Sequence, residues 1–263
     1  MRVNDDDAQD LLLIREAAQE AGRIAMRYFR NDPDVWYKNG RSPVSEADIA
    51  VNRFLHAELL AQRPGYGWLS EETEDDKSRL NGDPVFVVDP IDGTRAYLRG
   101  DDHWCVSVAV VRNGKSVAGV LACPALEELF ESGDEGNALK NGAAIHVAEK
   151  GAENLIAAPD SVYDRLPKGW IAGLTRPPHV SSLAYRVAMV ADGRLNGTFI
   201  KPNANDWDLA AADLILHNAG GAVVDVEGEP LLYNRENITH GILIAGPHTF
   251  LPELQHAAAT IDL

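Results

Sequence analysis

The sequence predicts a mixed protein of two textures, a strand-rich α+β half over residues 1–150 and an α/β half over residues 151–263. Three observations predict it. Between Leu11 and Phe29, apolar residues Leu12, Ala17, Ala21, Ile24, Ala25 and Tyr28 recur at helical spacing. From Val85 to Ser132, short apolar runs follow one another with turn signals between them, which reads as consecutive strands. After Gly151, strand-like and helix-like segments alternate, the pattern of helices layered on a sheet. The boundary is expected near Lys150.

The elements follow in order. Asn31-Asp32-Pro33 ends the first helix, and Arg41-Ser42-Pro43-Val44 is extended because a residue before proline avoids the α region. Ser45-Glu46-Ala47-Asp48 fits a capping box that opens a second helix through about Leu60. Val85-Phe86-Val87-Val88 has the length and β-branched content of a buried strand. Val106 to Val111 and Ser116 to Ala122 flank Asn113-Gly114, a type I′ dipeptide, and form a hairpin. Leu129 to Ser132 adds a strand, and Lys140-Asn141-Gly142 marks a turn before Ile145-His146-Val147. In the second half, Leu155 to Ala158 is a short strand and Asp160 to Pro178 a polar stretch containing prolines. Ser181-Ser182-Leu183 leads into a helix through Met189 and Val190, and Gly197 to Ile200 is a strand. A helix from Asp208 to His217 stops at Ala219-Gly220-Gly221, before a strand from Ala222 to Asp225.

Composition bounds the function. A chain of 263 residues can bury a sizeable core as one large domain or two small ones. The formal charge of −16 argues against a nucleic-acid backbone or an anionic membrane as partner. Cys105 and Cys123 have neither metal-type spacing nor a disulfide framework, and Cys105 reads as a buried strand thiol. Asp5, Asp6 and Asp7 interrupt any apolar leader and no run reaches membrane-spanning length, so a cytoplasmic protein is expected.

The chemistry lies in three acidic motifs. The strand ending at Val88 runs into Asp89-Pro90-Ile91-Asp92-Gly93-Thr94, two carboxylates followed by a turn into a helix start. Carboxylate oxygens there can hold hard cations, while free amides at the helix start can take an anion. Upstream, Leu69-Ser70-Glu71-Glu72 places acids after an apolar segment; downstream, Asn205-Asp206-Trp207-Asp208 opens an apolar helix. Each motif alone has an ordinary structural reading, as an Asp-capped turn, a solvated acidic turn or a helix N-cap. Together, in this order, they do not.

The set Leu69-Ser70-Glu71-Glu72, Asp89-Pro90-Ile91-Asp92-Gly93-Thr94 and Trp207-Asp208-x-Ala210-Ala211, closed by Ala219-Gly220-Gly221, resembles the inositol monophosphatase superfamily over almost the whole chain. The resemblance implies a layered α-β-α-β-α sandwich with the active site between two halves, the first carrying most ligands and the second supplying Asp208. It implies a metal-dependent phosphomonoesterase using two or three Mg²⁺ ions and inhibited by Li⁺. Glu71, Asp89 and the Ile91 carbonyl would hold one ion, with Asp89 bridging to a second held by Asp92 and Asp208. Gly93 and Thr94 would supply backbone donors to the phosphate, and the Thr94 hydroxyl, oriented by Asp48, would help position the attacking water. Asp48 as the capping partner of Ser45 is the other reading, and the two are compatible. Glu72 reads as a supporting or surface acid, and His103 and His217 as structural. Bound Mg²⁺ would also explain how an acidic protein attracts an anionic ester.

Within the superfamily, Ser42-Pro43-Val44-Ser45-x-Ala47-Asp48, Ser70-Glu71-Glu72 and Ser181-Ser182-Leu183 look most like the bacterial 3′(2′),5′-bisphosphate nucleotidases. Simple inositol monophosphatases tend to carry an acid where this chain has Lys201, and a lysine there could meet a second phosphate. The nucleotidase branch often has a base directly after Ser-Ser-Leu, whereas here Ala184 follows and Arg186 comes two residues later. The expected substrate is a small phosphate ester, adenosine 3′,5′-bisphosphate first, inositol 1-phosphate second and histidinol phosphate third. A homodimer is left open. The competing class is a catalytically idle relative that binds metal or a protein partner, marked by a lost ligand or a lost Thr94; every such position is filled.

Overall fold

Layers of helix, sheet, helix, sheet and helix stack on one another. The computed structural model describes residues 5–38, 42–133, 136–149, 151 and 154–259. Helix α1 (Asp5–Tyr28), the antiparallel ribbon β1 (Val35–Lys38) and β2 (Ser42–Ser45), and helix α2 (Glu46–Gln62) open the chain. A seven-stranded sheet follows in chain order: β3 (Gly67–Ser70), β4 (Val85–Asp92), β5 (Cys105–Arg112), β6 (Lys115–Cys123), β7 (Glu128–Ser132), β8 (Ala138–Lys140) and β9 (Ala143–Ile145). Within this sheet, among the described residues, only β3 and β4 pair in parallel. Short helix α3 (Thr94–Leu98) joins β4 to β5.

The second half contains β10 (Asn154–Ala157), α4 (Asp160–Tyr163), α5 (Lys168–Ile171), β11 (Leu174–Thr175), α6 (Leu183–Ala191) and β12 (Gly197–Ile200). It continues through β13 (Ala204–Asn205), α7 (Asp206–Asn218), β14 (Gly221–Asp225), β15 (Thr239–His240), β16 (Leu243–Pro247) and α8 (Leu251–Ala258). Its five-stranded sheet has the order β11-β10-β12-β16-β14.

Strand alternation decides which layer each residue joins. In β4, Phe86 and Val88 pack with Ile14 and Ala18 of α1 and Val51 and Leu55 of α2. Val85 and Val87 face the other way, into a core shared with α6, α7 and the inner face of the second sheet, including Ile200, Val223 and Ala245. The outer face of that sheet, Phe199, Val224 and Ile244, is covered by Leu251 and Leu254 of α8. Helix α7 is therefore apolar on most of its circumference, being caught between two sheets. Gly119 of β6 lets it approach: a Cβ there would lie 2.9 Å from the Ala211 carbonyl oxygen and 3.0 Å from Ala211 Cα.

The expected layered sandwich is present. Both Asn-Gly turns have the positive φ pair of type I′, 52° and 75° at Asn113-Gly114 and 51° and 78° at Asn141-Gly142. Helix α1 begins earlier than the apolar pattern suggested, with Asp5, Asp6 and Asp7 in its first turn, where acids complement the helix dipole. Its buried Asp10 is held by Arg63 at 2.9 Å, the Tyr66 hydroxyl at 2.8 Å and Arg112 at 3.4 Å. The polar stretch from Asp160 to Pro178 holds α4, α5 and β11, elements too short to show a period. The boundary expected near Lys150 falls outside the described residues. Cys105 and Cys123 are buried and free. Among the described residues, no helix is long and apolar enough to cross a membrane.

Candidate active site

Asp89 and Asp92 are separated by an odd number of positions, so a regular strand would point them to opposite faces. An irregularity in the β4–β5 ladder corrects this. Asp89 pairs with Ser107 and Asp92 with Cys105, so β4 carries one residue more than its partner between them. Pro90, which cannot donate to the ladder, lies in the bulge. Both carboxylates thus face the second half. There α7 brings Asp208: ligand atoms of Asp89, Asp92 and Asp208 all lie within 4.8 Å of one another.

Each carboxylate is held by a different element. Asp89 Oδ1 accepts from the Ile91 amide at 3.0 Å. Asp92 accepts from the Ala184 amide at 2.7 Å, the Leu183 amide at 3.3 Å and the Ser182 hydroxyl, so it sits on the N-terminus of α6. Asp208 closes a capping box, its Oδ2 accepting from the Asn205 amide at 2.7 Å. Glu71 follows β3, and its amide donates to the Val88 carbonyl at 3.2 Å, which sets it beside the end of β4. It lies outside the close trio but lines the same cavity.

Gly93 has φ 93°, and a Cβ there would meet Ser182 Cβ at 3.0 Å, so both conformation and space require glycine. The Thr94 hydroxyl lies 3.1 Å from the Ile91 carbonyl and 3.4 Å from Asp48 Oδ1. Asp48 is at the same time the capping-box partner of Ser45, accepting its amide at 2.8 Å. The two roles weighed for Asp48 are thus geometrically compatible. The Glu72 side chain is buried and paired with Lys38 at 2.6 Å, and Lys38 also donates to the Glu71 carbonyl at 2.8 Å. His103 pairs with Asp101 at 2.7 Å, and His217 packs against His248.

The cavity encloses about 400 Å³. Its acidic lining is Glu71, Asp89, Asp92 and Asp208; its basic lining is Arg95, His179, Arg186 and Lys201. Lys201 is exposed on the wall, whereas Arg186 is buried, with Nε donating to Thr198 at 3.0 Å and Nη1 to the Val180 carbonyl at 3.1 Å. Sequence reasoning missed the part played by Ser182 and α6 in holding Asp92, although Ser-Ser-Leu before an apolar run is a helix-start signal.

The donor set suits a hard cation. All the convergent atoms are carboxylate oxygens, the preference of Mg²⁺, Ca²⁺ and Mn²⁺. Two unit charges about 4.8 Å apart repel by roughly 3.5 kcal/mol even at an effective dielectric near 20. Three such pairs approach the whole stability of an ordinary domain, about 5–15 kcal/mol. The trio therefore needs protons or a cation. The carboxyl groups respond accordingly. Burial, with repulsion from Glu72 and Asp208, pushes Glu71 up to about 8. Burial, with Asp92 beside it, pushes Asp208 up to about 7. Asp89 is held well above the carboxylate range by burial and then by Glu71, Asp92 and Asp208. Asp92 is raised by burial despite the opposing bonds from Ser182 and Ala184.

The inositol monophosphatase family model matches residues 7–259. The chain belongs to the inositol monophosphatase family. As a member it is a metal-dependent phosphoric monoester hydrolase. It is 32% identical over 248 residues to the inositol-1-monophosphatase of Mesorhizobium japonicum, covering 88% of this chain and 89% of the relative. It is 26% identical over 265 residues to the 3′(2′),5′-bisphosphate nucleotidase CysQ of Haemophilus influenzae, covering 95% and 96%. The solved structure of the extragenic suppressor protein suhB from Bartonella henselae matches with a TM-score of 0.83 at 29% identity, covering 95% of this chain and 98% of that one. The relatives' names differ in substrate, so family membership establishes the reaction class and not the ester.

Proposed function

We propose that this family member hydrolyses the 3′-phosphate of adenosine 3′,5′-bisphosphate, giving AMP and phosphate. The observation that carries the reading is the division of charge in the cavity. Each acid that lines it belongs to the candidate metal set, while the rest of the lining carries the basic residues Arg95, His179, Arg186 and Lys201 beside the neutral polar groups of Ser42, Ser181 and Asn203. A polyol is best met by carboxylate acceptors, and among the described lining residues every carboxylate belongs to the metal set; a second phosphate calls for cations. Arg186, which burial brings down to about 10, still carries its charge at neutral pH.

In this reading Glu71, Asp89, Asp92, Asp208 and the Ile91 carbonyl would hold the Mg²⁺ ions. When bound, the ions supply an activated water and a charge clamp for in-line phosphoryl transfer. Gly93 and Thr94 present backbone amides to the phosphate. The Thr94 hydroxyl directs its proton to Ile91 O or Asp48 Oδ1, leaving its lone pairs to orient the attacking water. Lys201 and Arg186 receive the 5′-phosphate. Li⁺ inhibition is expected from the same ligand set.

The test is phosphate release with Mg²⁺ from adenosine 3′,5′-bisphosphate, inositol 1-phosphate and histidinol phosphate at matched concentrations. A kcat/KM preference for the bisphosphate of at least about 10-fold is expected, worth roughly 1.4 kcal/mol of transition-state binding. Lys201→Glu should erase most of that preference. A preference for inositol 1-phosphate, the substrate in the name of the Mesorhizobium relative, would overturn the assignment. Release from none of the three would favour the idle-relative reading.

A further inference from the structure

Asp206 is buried at 1% exposure, two residues before Asp208, and both of its carboxylate oxygens are engaged. Oδ2 accepts from the Asn234 amide at 2.7 Å, and Oδ1 lies 2.8 Å from His240 Nε2. Where a carboxylate oxygen accepts, the ring nitrogen is the donor of this bond. The Asp206 amide donates to the Ile238 carbonyl at 3.0 Å, and β13 pairs Ala204 with His240 and Asn205 with Thr239. The segment from Asn234 to His240 therefore straps the first turn of α7.

The strap also reaches the loop after Glu71. Arg79, its side chain fully buried, donates to Asn234 Oδ1 at 2.7 Å and holds both oxygens of Asp75 at 3.0 and 2.8 Å. Lys77 donates to the Glu236 carbonyl at 2.8 Å. None of Asp75, Arg79, Asn234 and His240 lines the cavity. The start of α7 is already capped by Asn205 and Asp208, so capping does not account for a second buried acid beside a metal-site carboxylate. What accounts for it is the pair of donors it holds.

We infer that Asp206, His240, Asn234 and Arg79 form a positioning relay that fixes Asp208 against Asp89 and Asp92 and ties α7 to the loop that follows Glu71. The relay acts through Asp208, so the inference rests on the metal-site reading above.

The test is calorimetric titration of the intact chain with Mn²⁺ alone, alongside the Mg²⁺ dependence of kcat. Asp208→Asn comes first: unchanged Mn²⁺ binding there overturns the metal-site reading itself. With that binding lost, His240→Ala is expected to weaken Mn²⁺ binding about 10-fold or more, the usual cost of removing a group that orients a ligand. His240→Gln, whose amide can still donate to Asp206, should restore most of it. Unchanged Mn²⁺ affinity in His240→Ala, with only a lower Tm, overturns the relay. If His240→Ala does not fold, Asn234→Ala decides at its half-buried turn, since it cuts the Arg79 link. Weaker Mn²⁺ binding supports the relay and unaltered binding overturns it.

Discussion

Asp92 Oδ2 lies 2.7 Å from the amide nitrogen of Ala184, so a strand-end carboxylate of the first half closes a helix start in the second. The same side chain belongs to the carboxylate trio. Its two duties separate by substitution. Asp92→Asn and Asp92→Ala should both lose nearly all turnover, but Asn keeps an acceptor for the α6 amides and Ala does not. Urea unfolding should find Asp92→Ala less stable than Asp92→Asn by about 1–2 kcal/mol, the cost of stranding buried N–H groups. Equal stabilities would mean that these bonds do not hold α6.

Gly119 sets how closely α7 approaches the first sheet, since its missing Cβ would sit 2.9 Å from backbone of Ala211. Gly119→Ala should cost about 1–3 kcal/mol through overpacking and displace the helix that carries Asp208. A lower Tm together with a raised Mg²⁺ requirement is the expected result. A lower Tm with unchanged Mg²⁺ dependence would show that the sheet, not α7, gives way.

The motifs were legible because each acid ends or begins an element that periodicity marks: Glu71 after β3, Asp89 and Asp92 at the end of β4, Asp208 at the start of α7. What periodicity cannot show is the bulge between Asp89 and Asp92, although Pro90 within a strand pattern was a usable signal for it. The strap from Asn234 to His240 was not legible either. It has no regular element beyond β15, and its hold on Asp206 comes from contacts distant in sequence. Strand β16 contains Leu243-Ile244-Ala245 of an apolar run from Ile242, and α8 comes after it, a signal that sequence reasoning could have used. The ester is the least legible part, because it depends on which side chains share a wall more than on the motifs that place the acids.

Asp208 is expected to show function in conflict with stability. Burial and the neighbouring Asp92 disfavour its charge, while the Asn205 amide needs only one acceptor oxygen. Asp208→Asn removes the charge and keeps an acceptor. In EDTA at pH 8 the variant should be more stable than the parent by about 1–3 kcal/mol, as expected where a site stores electrostatic strain, and it should hydrolyse no ester. A destabilised variant under those conditions would show that the carboxylates do not repel as their spacing requires.

The pH dependence of stability follows from the same repulsion. Asp48, Asp208 and Glu71 are pushed up to about 6, 7 and 8, chiefly by burial. A carboxyl raised in the folded state binds its proton more tightly there than in the unfolded chain. Its stabilising effect is complete below about pH 4, the ordinary carboxylate range, and is lost as pH rises through the raised values. Asp75 acts in the opposite sense, since Arg79 and Lys77 hold it down to about 2 against the cost of burial, but its effect is confined to more acid solution. Between pH 5 and 8.5 the metal-free protein should therefore lose Tm steadily. Saturating Mg²⁺ replaces the departing protons, so the Tm gain on adding Mg²⁺ should be small at pH 5 and grow with pH. A gain that stays constant across this range would mean that the ion and the protons do not compete for these carboxylates, and would move the cation away from Asp89, Asp92 and Asp208.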